Sequence, residues 1–330
     1  MSTLNVDLIN QQTSTSPYPV VRISQGDPLD LTDNIAIKRY VGGFADDTNG
    51  IAIGIKVGDQ AAENGVGFQN TVIGNVASRR DNGFANTVLG YGALAGSPSV
   101  SATTCSQSVA IGVNALGSMV TSGMDNTAVG HQAARDFANG VYNTVIGAKA
   151  LSETPDASYC TLIGWGAGGT SNVFPAPGGF KMLNGDNVTC IGFDARPSLA
   201  TISDEITLGN GAIGALRCNA PLSSLSDVRD KKDIKELSAG LEFINTLKAV
   251  EFVWADRENE RKRDIKDFGF IAQDLKKSQE DANLAETLKL VYEANPDKLE
   301  AFYGKLVPIL VKAIQEMSLE IQTLKSNLNN

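Results

Sequence analysis

Asn143-Thr144-Val145-Ile146-Gly147 is the stretch that decides the fold, because the chain writes it repeatedly. Its β-prone triplet closed by glycine appears nine times, at Ile51–Gly54, Thr71–Gly74, Thr87–Gly90, Val109–Gly112, Thr127–Gly130, Thr144–Gly147, Thr161–Gly164, Thr189–Gly192 and Ile206–Gly209. From Gly74 onward, successive glycines lie 16, 22, 18, 17, 17, 28 and 17 residues apart, so a period near 17 is interrupted by insertions. A three-residue strand cannot bury its apolar face alone, and the stable solution stacks the copies so that each rung covers the last. Glycine suits the corner after each strand because it adopts positive φ without steric cost. Asparagine opens many units (Asn70, Asn86, Asn126, Asn143) and a small-residue turn such as Asn114-Ala115-Leu116-Gly117 closes them. Gly96 to Gln107 and Gly168 to Asn187 then read as loops projecting from the stack.

Outward from the repeats, residues 1–45 mix short β-prone pieces, Tyr18–Ile23 and Ile35–Tyr40, with turns. Their place ahead of the stack suggests an attachment segment. Behind the repeats the composition flips: 30 of the 33 glycines fall within residues 1–225, whereas residues 226–330 hold 37 charged side chains and 3 glycines. That marks a domain boundary. The expected organisation is a segment 1–45, a glycine-rich β-repeat shaft 46–210 that includes the receptor-binding region, a connector 211–225 and a C-terminal domain 226–330. Within the last, Gly240–Leu247 has a helical pattern, Val250–Trp254 alternates like a strand, and charged Asp256–Asp267 reads as a hairpin loop. Apolar residues then recur at Val307, Leu310, Ile314, Met317, Ile321, Leu324 and Leu328, in steps of three and four. This is a heptad seam; Glu320 and Lys325 have the five-residue offset of an interhelical ion pair. A helix packed inside its own subunit is the alternative.

Composition excludes several classes. The net charge of −9 leaves no basic excess to neutralise phosphates, so nucleic acid is not an expected partner. Cys105, Cys160, Cys190 and Cys218 are widely spaced, which argues against a disulfide framework or zinc site. His131 is the sole histidine, so a two-histidine metal site cannot exist and a Ser-His-Asp triad would have to use it. Neither a signal peptide nor an apolar run of membrane-spanning length is visible, so membrane insertion is not expected. No cofactor is expected. The residue after the repeat glycine is aromatic or histidine in some copies (Tyr91, His131, Trp165, Phe193), able to stack on sugar rings or to cover a neighbouring rung.

The boundary itself reads Leu225-Ser226-Asp227-Val228-Arg229-Asp230-Lys231-Lys232-Asp233-Ile234. It resembles the processing site of the endosialidase-type intramolecular chaperone autopeptidases that end many phage tail fibres and tailspikes. Their pattern, Ser-Asp-x-Arg-x-Lys-x-x-Ile, is met by Ser226, Asp227, Arg229, Lys231 and Ile234. Gly269-Phe270-Ile271-Ala272-Gln273 and the helix from Leu306 to Glu316 are similar to later parts of the same family, in matching order. The repeats resemble those of trimeric autotransporter adhesin heads and phage fibre shafts.

The resemblance implies self-cleavage between Leu225 and Ser226. The Ser226 hydroxyl attacks the Leu225 carbonyl carbon, an ester replaces the amide, and water releases the pieces. With histidine unavailable, Lys231 is the candidate base, where the resemblance places the partner of a Ser-Lys dyad. Neutral lysine is scarce near neutrality, so burial and the adjacent charges of Arg229 and Lys232 are expected to favour it. A five-residue offset on a regular helix would separate Ser226 from Lys231, which calls for a turn or a strand-to-helix junction. Asp227 either orients the dyad or caps the helix that follows. The alternative is that Ser226-Asp227 is only an N-cap.

The expected fold is mainly β: a trimeric β-roll or β-solenoid shaft, then a small α+β chaperone domain ending in a coiled-coil helix. The heptad residues alone favour two strands, the resemblance three. The implied protein is a phage tail fibre or spike subunit, made in the host cytoplasm and carried in the virion tail. Its implied partners are two further copies, a host cell-surface glycan or protein receptor, and a baseplate or fibre-base protein. A polysaccharide-degrading tailspike and a bacterial trimeric adhesin-like surface protein are the rival classes.

Overall fold

The structure is a computed structural model that describes residues 55–57, 69–81, 83–97, 104–119, 123–152, 156–169, 182, 184–255 and 264–329. Residues 1–45, read above as an attachment segment, the copy at Ile51–Gly54 and much of the two insertions lie outside these residues. The chain divides into two compact units at Asn210/Gly211.

In the first unit the strands β1 (Ile55–Val57), β2 (Thr71–Ile73), β3 (Thr87–Leu89), β4 (Val109–Ile111), β5 (Thr127–Val129), β6 (Thr144–Ile146), β7 (Thr161–Ile163), β8 (Thr189–Ile191) and β9 (Ile206–Leu208) form one parallel sheet in chain order. The result is a parallel β-solenoid. Thr127, Thr144 and Thr161 are direct register partners, one coil apart. The strand that pairs with β2 is Ile55–Val57, four residues later than the repeat copy read from the sequence.

The strands from β2 to β8 turn their middle residue inward: Val72, Val88, Ala110, Ala128, Val145, Leu162 and Cys190 are buried. Three residues past the corner glycine an alanine is buried in the coils from β2 to β8: Ala77, Ala93, Ala115, Ala133, Ala150, Ala167 and Ala195. Leu94, Leu116 and Leu151 fill the remaining space. Such a core is narrow, which is why small residues recur within it.

The corner glycines meet a second constraint besides their positive φ. A Cβ on Gly147 (φ +137°) would lie 2.2 Å from the carbonyl oxygen of Gly164 in the next coil. Only glycine permits the coils to approach this closely at that corner.

The asparagines that open the units form an internal ladder. The Asn70 side-chain oxygen accepts from the Asn86 amide (2.8 Å), that of Asn86 from Ser108 (2.9 Å), that of Asn126 from Asn143 (3.1 Å) and that of Asn143 from Cys160 (2.9 Å). Their amide groups donate to Gly83, Cys105, Gly140 and Ala157 carbonyls at 2.7–2.9 Å. Each side chain thereby satisfies a buried backbone donor and a buried acceptor of the following coil, which would otherwise be costly orphans. Ser108 takes the place in one coil, its Oγ accepting from Asn126 at 3.1 Å. Cys160 takes it in another, with a weaker contact of 3.5 Å from the Val188 amide.

The second unit contains α1 (Leu241–Thr246), β10 (Ala249–Val253), β11 (Lys266–Phe270), α2 (Ala272–Asp281), α3 (Ala285–Leu288), β12 (Val291–Tyr292), β13 (Glu300–Ala301) and α4 (Leu306–Leu328). β10 and β11 are antiparallel, as are β12 and β13. Ala239, Phe243, Leu288, Leu290, Leu306 and Ile309 make its core. Glu316 on α4 accepts from the Leu241 amide at 2.6 Å, capping α1. The Tyr303 hydroxyl accepts from the Phe270 amide at 3.0 Å, leaving no room for a side chain at Gly269, where a Cβ would lie 2.5 Å from it.

Candidate functional site

Between Gly211 and Ser238 the chain forms neither strand nor α-helix, and one 3-10 turn is its only regular element. Ile213, Leu216, Leu222, Leu225, Val228 and Ile234 along it are all more than half exposed, and Leu225 fully so. The 3-10 turn, Val228–Asp230, is closed by the Lys231 amide donating to the Val228 carbonyl at 3.1 Å. Asp227 is its N-cap, accepting from the Arg229 amide at 2.8 Å. Aspartate is favoured here because its short side chain reaches a backbone donor that the turn leaves unpaired.

The turn reverses the chain so that Lys231, in extended conformation, folds its side chain back over Ser226. Lys231 Nζ lies 2.7 Å from Ser226 Oγ and 3.1 Å from the Ser226 carbonyl oxygen. A candidate nucleophile and a candidate base thus sit within hydrogen-bond reach across five residues, through a turn and not a helix.

Arg229 is placed differently from expectation. Its guanidinium forks onto Asp227, with Nε 3.0 Å from Oδ1 and Nη2 2.6 Å from Oδ2. The guanidinium holds the Asp227 carboxyl below its usual range, and the carboxylate raises the guanidinium in turn. Arg229 is therefore not a bare charge beside Lys231; the carboxylate largely cancels its field. Lys231 and Lys232 are exposed, so one chain does not supply the burial expected at the site.

A second feature lies on α4. Leu306, Ile309 and Ala313 face the core of the unit, while every residue of the heptad seam is exposed, from Val307 and Leu310 to Leu324 and Leu328. The helix is apolar on two faces near its start, and the sequence pattern brought out only one. Lys312, between the faces, donates to Glu236 at 2.8 Å, tying the segment downstream of Lys231 to α4. That contact had no signal in the sequence, since its partners are 76 residues apart.

On the solenoid, Trp165 and Phe193 lie on successive coils and stack at 5.1 Å, so these two cover neighbouring rungs. Tyr142 and Tyr159 stack in the same manner at 5.3 Å. Among the described residues no group of histidine, cysteine, aspartate and glutamate could hold a metal ion, and no helix is long and apolar enough to cross a membrane.

The family model described as chaperone of endosialidase matches residues 226–284. The match opens on Ser226 and runs through the turn, β10, β11 and α2. The chain thus joins a segment similar to that family, which implies an autoproteolytic chaperone, to a parallel β-solenoid. No curated protein and no solved structure matches the chain.

Proposed function

We infer that the chain is a subunit of a trimeric phage tail fibre or spike, whose C-terminal region guides assembly and then cuts itself away between Leu225 and Ser226. The observation that carries this reading is the 2.7 Å approach of Lys231 Nζ to Ser226 Oγ, at the first residue of the matched segment. Neutral Lys231 takes the hydroxyl proton as Oγ bonds to the Leu225 carbonyl carbon. The Leu225–Ser226 C–N bond then breaks, and the Ser226 nitrogen leaves as an amine after gaining a proton. Water hydrolyses the resulting ester to a Leu225 carboxylate and a Ser226 hydroxyl. The cycle occurs once per chain, because the products part.

Two exposed apolar rows support assembly of copies. The α4 seam spans a helix about 35 Å long, and its heptad spacing fits another copy of itself. On the shaft the third strand residues Ile73, Leu89, Ile146, Ile191 and Leu208 line up along the outer face, each about 40% exposed or more. An apolar row of this length suits a neighbouring shaft. Three copies follow from the family resemblance. Host attachment through the shaft, to a surface glycan or protein, and anchorage to a baseplate or fibre-base protein complete the proposal.

Intact mass after expression tests it, with native mass on the same material. Wild type is expected to yield pieces ending at Leu225 and beginning at Ser226, from a trimer. Ser226→Ala is expected to stay whole and trimeric. Cutting at this bond in Ser226→Ala, or a monomeric uncut wild type, would falsify the assignment.

A further inference from the structure

The geometry points to Arg229 as a positioning residue for the cut, acting through Asp227; this rests on the self-cleavage reading above. Asp227 is the carboxylate adjacent to the nucleophile. Left free, it would be a natural counter-ion for the Lys231 ammonium and would draw Nζ away from Ser226 Oγ. Arg229 occupies both carboxylate oxygens, one with Nε at 3.0 Å and the other with Nη2 at 2.6 Å. The same Oδ1 also accepts the Arg229 amide at 2.8 Å, so one residue supplies three donors and fixes the carboxylate over the start of the turn. Lys231 Nζ is left with the two oxygens of Ser226.

The arginine side chain is 85% exposed, and an ion pair so open to water adds little to stability. Its effect is on where the lysine goes. A planar fork is required for this, since a lysine at 229 would offer one point charge and could not grip both oxygens.

The test is a double-mutant cycle on cleavage rate, followed by mass after refolding the full chain. Arg229→Ala is expected to cut about 10- to 100-fold more slowly, the scale of a small misplacement of reacting groups. Its thermal unfolding should be unchanged. Methylguanidinium in the buffer should restore part of the rate, and Arg229→Lys should remain slow. In an Asp227→Asn background, where no carboxylate remains to be masked, removing Arg229 should have no further effect. If Asp227→Asn does not cut, the methylguanidinium rescue decides alone. Arg229→Ala cutting at the wild-type rate, absence of rescue, or an equal slowing in both backgrounds overturns the inference while leaving self-cleavage standing. A wild-type chain that never cuts removes both.

Discussion

Asn143→Ala removes one step of the ladder that joins the solenoid coils, and its cost can be worked from the contacts. The side chain accepts from the Cys160 amide at 2.9 Å and donates to the Ala157 and Val141 carbonyls at 2.9 and 3.0 Å. It also donates to Asn126 Oδ1 at 3.0 Å. Asn143 and Cys160 are both buried, so water cannot replace these partners without a packing change. Each buried orphan costs about 1–3 kcal/mol, and with the Cys160 N–H and the Ala157 carbonyl both orphaned the substitution should cost about 3–5 kcal/mol. A solenoid responds coil by coil, so a global melting point dilutes the effect and local hydrogen exchange reports it better. At about 1.4 kcal/mol per decade, exchange at Cys160 and its neighbours should accelerate on the order of 100-fold or more, while β2 and β3 stay protected. Asn143→Ser should lose less, because Ser108 already fills this role one coil away from Asn126. Unchanged exchange at residues 157–160 in Asn143→Ala would show that the ladder is incidental to the fold.

Cys160→Asn should strengthen the weak step of the same ladder by about 1 kcal/mol, read as slower exchange at Val188. Gly147→Ala forces a Cβ to 2.2 Å from Gly164 O at φ +137°, and should cost about 2–5 kcal/mol, measured as loss of soluble folded chain. Burial pushes the thiols of Cys105, Cys160 and Cys190 up to about 12, 11 and 12, so their reactive thiolate forms are suppressed at pH 8. Iodoacetamide on native protein should therefore label exposed Cys218 alone, and rapid labelling of a second thiol would contradict the core described above. If copies associate through the α4 seam as proposed, Ile314→Asp should lower the sedimentation coefficient to that of a single chain without unfolding the second unit, whose core uses Ile309 instead.

The stacked strands were legible because a solenoid repeats its local demands: an inward residue between two outward ones, and glycine at a left-handed corner. The copy read at Ile51–Gly54 lies outside the described residues, and the strand that pairs with β2 there is Ile55–Val57. Asn143 and its relatives were visible as a recurring letter, but their task was not, since each acts on a backbone amide in the following coil. The Ser226–Lys231 pairing was named by the family resemblance, while the spacing itself said only that a turn must bring the two together. That Asp227 would hold Arg229, and so remove it as a free charge beside Lys231, depends on side-chain directions that spacing does not encode.

By itself, then, the amino-acid order determined the coil period and the heptad row on the last helix, both carried by near neighbours in the chain, whereas the division into units falls at Asn210/Gly211, ahead of the change in composition at Ser226. The tertiary structure decided which apolar face of α4 is spent on its own core at Leu306, Ile309 and Ala313, and which stays open from Val307 to Leu328. It also decided why Gly147 tolerates no side chain. Those outcomes depend on atoms distant in sequence meeting in space, and periodicity names a face without naming what packs against it.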